Sequence, residues 1–181
     1  MAITDFAPHN MTSNVLPTPY VASASSEYDA SWGAFCAFNK DISDAHWIAA
    51  PPFAPGWVKI FIYDPIVLHS YNLQAALDNY PTSVPRSFEL HGSVDDTTWI
   101  TLDTRTNETS WGNGEIRNYI CNSPSATPFS YFKLYVSDNN GDVDWLEVGE
   151  LYLNVLSAAN YLHARRDRLN MRGISIQNNL A

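Results

Sequence analysis

Apolar and polar residues alternate most clearly in the segment Val84–Asp103. Phe88, Leu90 and Gly92 alternate with polar neighbours, which is the period of a strand with one face in a core and the other in water. The short polar residues that follow favour a turn, and apolar residues resume at Trp99. The pattern therefore predicts a hairpin or corner that returns Trp99 to the core.

Other segments also have the composition and period of strands. Residues 56–63 are nearly apolar on both faces, which is typical of a central strand. Gly, Pro, Asn and Asp fill the connections, and short strands at this spacing predict an all-β, antiparallel β-sandwich. We expect the remaining strands within residues 67–77, 115–121, 132–136 and 148–153.

The two ends of the chain depart from this pattern. Residues 1–19 contain several prolines and show little periodicity, so we expect an extended N-terminal arm. Residues 20–154 form the predicted sandwich domain. Residues 155–181 form a C-terminal tail, and its helical candidate, 157–172, lacks a long apolar stripe, so any helix there is short.

Composition and charge narrow the classes of function. Charged residues make up 16% of the chain and aromatic residues 13%, which favours a folded β domain over a disordered chain. The formal net charge of -9 disfavours nucleic acid and anionic membranes as partners. The tail carries +3 and the preceding residues -12, so the tail suits an acidic surface of this chain or of a neighbour. The predicted docking residues are Arg165, Arg166, Arg168 and Arg172.

The cysteines and the N-terminus bear on the compartment. Cys36 and Cys121 are too few for a disulfide framework, so we expect a reduced pair of buried thiols. The first residues lack both the basic start and the apolar run of a signal peptide, and no stretch approaches the length that spans a bilayer. We therefore expect synthesis in a cytoplasm, no membrane insertion, and any export by another route.

Several short motifs follow one another in a set order. Small residues at 20–27 precede the segment Ala34–Asp41, the Gly92-Ser93 step follows the Phe88 strand, and Val148–Leu153 closes the domain. In this order they resemble the discoidin-like domains, also called coagulation-factor type C domains, which are relatives of the family 32 carbohydrate-binding modules. The resemblance covers the predicted sandwich domain and implies a galactose-binding-like jelly roll.

The resemblance also implies a metal site. In many relatives, the loop that corresponds to residues 39–44 binds a structural calcium ion, and several oxygen ligands suit such a hard cation. Here Asn39 and Lys40 replace the usual aspartate and glycine. The alternative is that these residues only turn the chain while Glu150 bonds to backbone amides. The candidate calcium ligands are Asn39, Asp41, Ser43, Asp44 and Glu150.

The resemblance further implies a ligand site in the loops at one end of the sandwich. Relatives stack a sugar on an aromatic ring there and hydrogen-bond its hydroxyls. The arginine found in many sugar-binding relatives has no counterpart among residues 74–78. For Trp32 and Trp111, packing against a neighbouring loop or subunit is the alternative. The candidate carbohydrate-binding residues are Tyr28, Trp32, His46, Asn79, Tyr80, Arg86, Trp111 and Asn113.

Catalytic patterns do not occur in the sequence. The five histidines do not have the spacing of metal ligands. The sequence contains no G-x-S-x-G motif of hydrolases, no H-E-x-x-H motif of metalloproteases and no G-x-x-x-x-G-K motif of nucleotide-binding proteins. We therefore predict a protein that is not an enzyme.

Two functions remain. The motif W-x-x-G-E-x-R-x-Y from Trp111 to Tyr119 resembles discoidin-like modules of bacteriophage tail and fibre proteins. It implies a virion subunit, made in the host cytoplasm and located in the tail, baseplate or capsid. Such a subunit would contact other virion proteins through its arm and tail, belong to a homo-oligomer or larger assembly, and take cell-surface carbohydrate as a ligand. The alternative is a free-standing lectin-like protein that belongs to no particle.

Overall fold

The structure is a computed structural model that describes residues 3–5, 10–41, 45–51 and 54–156. Two short 3-10 helices, Ala30–Trp32 and Ala34–Phe38, lie between the second and third strands. The strands are β1 (Ile3–Asp5), β2 (Val21–Ala24), β3 (Trp47–Ile48), β4 (Gly56–Ile66), β5 (Leu68–Gln74), β6 (Pro85–Ser93), β7 (Trp99–Arg105), β8 (Ile116–Ile120), β9 (Phe129–Asn139), β10 (Glu147–Val148) and β11 (Glu150–Leu156).

Two antiparallel sheets form the body of the described chain. One has five strands in the order β2-β4-β9-β6-β7, and the other has four in the order β1-β11-β5-β8. The short strands β3 and β10 pair with each other beside them. Every pairing of these strands is antiparallel, which confirms the predicted all-β sandwich.

The core lies between the two sheets, and strand alternation supplies it. Every second residue of β4, β6 and β9 points inward, and β5 and β11 contribute the facing layer. Gly92 in β6 leaves room for an aromatic ring, because a Cβ atom there would lie 2.6 Å from Phe129. The central core residues are Val58, Ile60, Ile62, Tyr71, Leu73, Phe88, Leu90, Phe132, Leu134, Val136, Leu151 and Leu153.

Trp99 does not lie in the core, and the prediction that the hairpin returns it there is wrong. It is half-buried on the outer face of the five-stranded sheet, with Lys133 Nζ 4.0 Å from the centre of its ring. Leu102 is the residue of β7 that enters the core, at 2% exposure. The two residues are three positions apart, so the pleat of a strand places them on opposite faces.

The described part of the N-terminal segment packs on the sandwich. Ile3–Asp5 pairs with the end of β11, and Met11 is buried in the core. Pairing with β1 satisfies backbone groups that the edge of β11 would otherwise expose. The predicted docking arginines of the tail lie outside the described residues, since the structure describes nothing after Leu156.

Both cysteines are buried free thiols, as expected from the sequence. Burial raises the pKa of Cys36 to about 12 and that of Cys121 to about 11, so neither has the thiolate character of a reactive cysteine. In the described ranges, no helix is long and apolar enough to cross a membrane.

Candidate functional site

Four loops meet at one end of the sandwich, and we call this region the loop end. They comprise residues 25–41 with 45–46, and residues 75–84, 106–115 and 140–149. They converge because Gln74 at the end of β5 pairs with Ile116 and Glu150, the first residues of β8 and β11. The hairpin turn at 94–98 lies at the opposite end.

Backbone hydrogen bonds tie the loops of the loop end together. Gly114 N donates to Ala76 O at 3.1 Å, and Gly149 N donates to Gln74 O at 2.9 Å. The loop end is therefore a connected surface on rigid strands.

Two tyrosines give the loop end accessible aromatic rings. Tyr28 is 50% exposed and Tyr80 is 57% exposed. The edge of Tyr28 packs against Trp145, with the ring centres 5.0 Å apart. The sequence did not predict Trp145 as a residue of this site, because its position after the turn at 138–142 was the only signal for it.

Several polar candidates are engaged within the chain. Asn113 Oδ1 accepts a hydrogen bond from Asn79 N at 3.0 Å, which joins two of the loops. Arg86 forms an ion pair with Asp138, and its side chain is 43% exposed. Asn79 has a φ of 67°, a left-handed conformation that asparagine tolerates in tight turns. The amide groups thus lie in the loop end, and the guanidinium lies on β6, directly after the loop at 75–84.

Trp111 is placed differently from the expected sugar platform. It is 5% exposed, and its Nε1 donates to Pro85 O and Glu108 O, each at 3.2 Å. The Arg117 guanidinium lies 4.0 Å from the centre of its ring. Burial and the covering arginine leave no face for a ligand, so packing within the chain is the role of Trp111.

The W-x-x-G-E-x-R-x-Y motif builds the loop at 106–115. Besides covering Trp111, Arg117 donates to Glu115 Oε1 at 2.7 Å and to the Thr109 and Ser110 carbonyls at 3.0 Å. Gly114 has a φ of 65°, which favours glycine. The motif therefore shapes one wall of the loop end.

His46 is buried below the loop surface with two acidic neighbours. It is 3% exposed, and the Trp32 ring packs against its ring at a centre distance of 4.6 Å. His46 Nε2 lies 3.5 Å from Asp78 Oδ2 and 3.9 Å from Glu147 Oε1. Burial raises the pKa of Glu147 to about 8, and Asp78 adds to this effect. Sequence reasoning missed both acids because they are remote from His46 in the chain and share no local pattern with it.

Glu150 is a buried carboxyl group at the start of β11. It is 1% exposed, and neither of its oxygens has a hydrogen-bond partner among the described residues. Burial raises its pKa to about 8, although the Lys40 amide and ammonium act in the opposite direction. Lys40 has a φ of 57°, a left-handed conformation that favours glycine.

The residues around Glu150 fit a hard cation. Asp41 and Glu150 line a small cavity of about 10 Å³, close to the space of one water molecule. In the alternative, backbone amides of this loop hold Glu150, and the Lys40 and Asp41 amides, which lower the pKa of Glu150, are the groups placed to do so. Asn39 Oδ1 caps the turn by accepting from Asp41 N at 2.7 Å, so it is engaged in the chain. Asp41 and Glu150 would hold the ion, while Ser43 and Asp44 lie outside the described residues.

Comparison with known proteins places the fold. No protein-family model matches the sequence, and no curated protein matches it. Solved structures do match. The family 32 carbohydrate-binding module of Streptococcus pneumoniae EndoD has a TM-score of 0.63 at 12% identity, covering 84% of this chain and all of that one. An F5/8 type C domain from Bacteroides fragilis has a TM-score of 0.62 at 19% identity, covering 79% and 95%.

A third match is a family 32 module from Clostridium perfringens NanJ, solved in complex with galactose. Its TM-score is 0.59 at 16% identity, covering 75% of this chain and 93% of that one. The chain therefore has the discoidin-like, galactose-binding-like β-sandwich fold, which confirms the resemblance seen in the sequence.

Proposed function

We propose that this protein is a non-catalytic carbohydrate-binding subunit that holds its ligand at the loop end. The observation that carries the proposal is that Tyr28 and Tyr80 are both exposed on loops of the loop end, which also carry the amide groups of Asn79 and Asn113. A sugar ring has C–H faces that suit an aromatic platform and hydroxyl groups that need polar partners. The similarity to modules named for carbohydrate binding, one of them in complex with galactose, supports the same function.

Binding should depend on the tyrosines of the loop end. We expect Tyr80→Ala and Tyr28→Ala each to weaken glycan binding by about tenfold, because the stacking surface is lost. A glycan array would first identify a ligand for the wild-type chain, and calorimetry would then compare the variants. Tyr63→Ala is a matched control, since this tyrosine is 66% exposed on β4, outside the loop end. Absence of binding by the wild type, or equal losses in all three variants, would contradict the proposal.

The proposal extends to the setting of the protein. The similarity of residues 92–119 to bacteriophage tail and fibre modules supports a virion subunit, which the basic tail would fasten to neighbouring proteins. The free-standing lectin remains the alternative, and it predicts a monomer whose binding needs no tail.

A truncation separates these two settings. Removing residues 157–181 keeps β11 intact, because Leu156 is the last residue that pairs with β1. We expect the truncated protein to lose assembly into oligomers or particles, measured by light scattering, while its glycan affinity stays within about twofold. An unchanged assembly state, or a wild-type chain that is already a monomer, would favour the lectin.

A further inference from the structure

Three side chains with metal-binding atoms meet beneath the loop end. His46 precedes β3, Glu147 opens β10, and Asp78 belongs to the loop at 75–84. One ligand atom from each lies within 4.8 Å of the other two. These residues are distinct from the Asp41 and Glu150 pair described above, although His46 also lines the small cavity beside that pair.

The distances suit a small tetrahedral ion. Zinc binds nitrogen and oxygen ligands at about 2.0–2.2 Å, so neighbouring ligands in a tetrahedral site are roughly 3.3–3.6 Å apart. Here His46 Nε2 is 3.5 Å from Asp78 Oδ2 and 3.9 Å from Glu147 Oε1. The third separation, between the Asp78 and Glu147 oxygens, is at most 4.8 Å, so small side-chain movements would let all three atoms approach one ion.

The chemistry of the donors selects the metal. An imidazole nitrogen with two carboxylates suits zinc, whereas calcium and magnesium favour oxygen ligands alone. A divalent cation would also neutralise two carboxylates that are otherwise held close together out of water. His46 and Glu147 are each 3% exposed, and the Asp78 side chain is 16% exposed. The group therefore reaches the surface on the Asp78 side.

Neighbouring residues hold the three side chains in place. Ser83 Oγ lies 2.5 Å from Glu147 Oε2, which leaves Oε1 turned toward His46. Glu147 N donates to Ser83 O at 3.1 Å, so the backbone of β10 is fixed to the same loop. The Trp32 ring covers the His46 ring. Hydrogen-bonded and apolar neighbours of this kind orient the ligands of metal sites.

We propose that His46, Asp78 and Glu147 bind one Zn²⁺ ion, which leaves a fourth coordination position for water or a ligand group. The ion would fasten the segment at 45–46 to the loops at 75–84 and 140–149. The proposal does not rest on the carbohydrate function, because it follows from the donor geometry alone.

Zinc binding by the untagged full-length protein tests the proposal. After treatment with EDTA and its removal, we expect one Zn²⁺ per chain by calorimetry and a rise in Tm of about 5 °C or more at saturating zinc. Asp78→Asn should weaken zinc affinity by about tenfold or more and should remove most of the rise. His46→Gln should do the same. Asp78→Asn keeps the test valid if His46→Gln fails to fold, because Asp78 lies nearer the surface.

Two control variants test whether zinc binds at these three residues and at no other histidine or carboxylate of the chain. His91→Gln removes a different histidine beside a carboxylate, Glu89, and should leave zinc binding unchanged. Glu150→Gln should also keep its zinc response, while it loses any response to calcium. Absence of zinc binding by the wild type, or equal affinity in wild type, Asp78→Asn and His46→Gln, would overturn the proposal. If the protein binds zinc at these residues but binds no glycan, the zinc proposal is supported and only the proposed carbohydrate-binding function is contradicted.

Discussion

Asp103→Ala is expected to lower the free energy of unfolding by about 3–5 kcal/mol, because it breaks a buried charged network. Asp103 is completely buried at the edge of the five-stranded sheet. Its carboxylate accepts hydrogen bonds from Tyr71 Oη at 2.7 Å, from Arg105 Nε at 2.7 Å and from Asn122 N at 3.0 Å. Tyr71 belongs to the four-stranded sheet, so this one side chain joins the two layers of the sandwich.

The size of this loss in stability follows from the two side chains, Tyr71 and Arg105, that would no longer have Asp103 as a hydrogen-bond acceptor. Burial, and then the bond to Asp103, hold the pKa of Tyr71 far above its usual value, so the hydroxyl stays a donor and needs an acceptor. Arg105 would keep its charge with Ile120 O as its remaining acceptor at 2.8 Å. An unpaired buried donor and a partly buried cation both carry a desolvation penalty.

Urea denaturation followed by circular dichroism would measure the effect. Asp138→Ala is the matched control, because its ion pair with Arg86 is about 42% exposed on both sides, and such pairs contribute about 1 kcal/mol or less. The loss in free energy of unfolding for Tyr71→Phe should fall between the losses for these two variants, since this substitution removes one hydrogen bond and keeps the ring. Equal losses in Asp103→Ala and Asp138→Ala would contradict the assigned role of the network.

The strands of the core could be predicted from the sequence, because burial on one face leaves a period of two. In β9, Phe132, Leu134 and Val136 are buried as the alternation indicated. Apolar character alone did not decide which large aromatic residues enter the core. Trp99 covers the outer face with lysine neighbours, while Trp111 is buried under an arginine. A tryptophan can satisfy either environment, so its face depends on the register of the strand.

The site could be predicted only in part, because its residues come from separate loops. The resemblance directed attention to the loops of one end, where Tyr28 and Tyr80 are exposed, and their part in ligand binding stays a prediction. The grouping of His46 with Asp78 and Glu147 depends on the pairing of β3 with β10 and on the path of the loop at 75–84. No local spacing carries that information, since the contacts join distant parts of the chain.

Gly149→Ala is expected to destabilise the fold by about 2–4 kcal/mol, through a clash with backbone that side-chain rotation cannot relieve. A Cβ atom at this position would lie 2.6 Å from Ala75 O and 2.8 Å from Ala75 C. Gly149 N also donates to Gln74 O at 2.9 Å, so the close approach of the two segments is part of the hydrogen bonding. The added methyl group would push the start of β11 away from the end of β5.

The same substitution should disturb the loop end, because Gly149 lies between Glu147 and Glu150. We expect Gly149→Ala to weaken zinc binding as well as lower the urea midpoint, since Glu147 would move relative to His46. Gly112→Ala is the matched control: its Cβ would meet only the Glu115 side chain, at 3.5 Å, and stability should change by about 0.5 kcal/mol or less. Equal urea midpoints for the two variants would contradict the role assigned to the close packing of Gly149 against Ala75, which is to hold Glu147 and Glu150 in position.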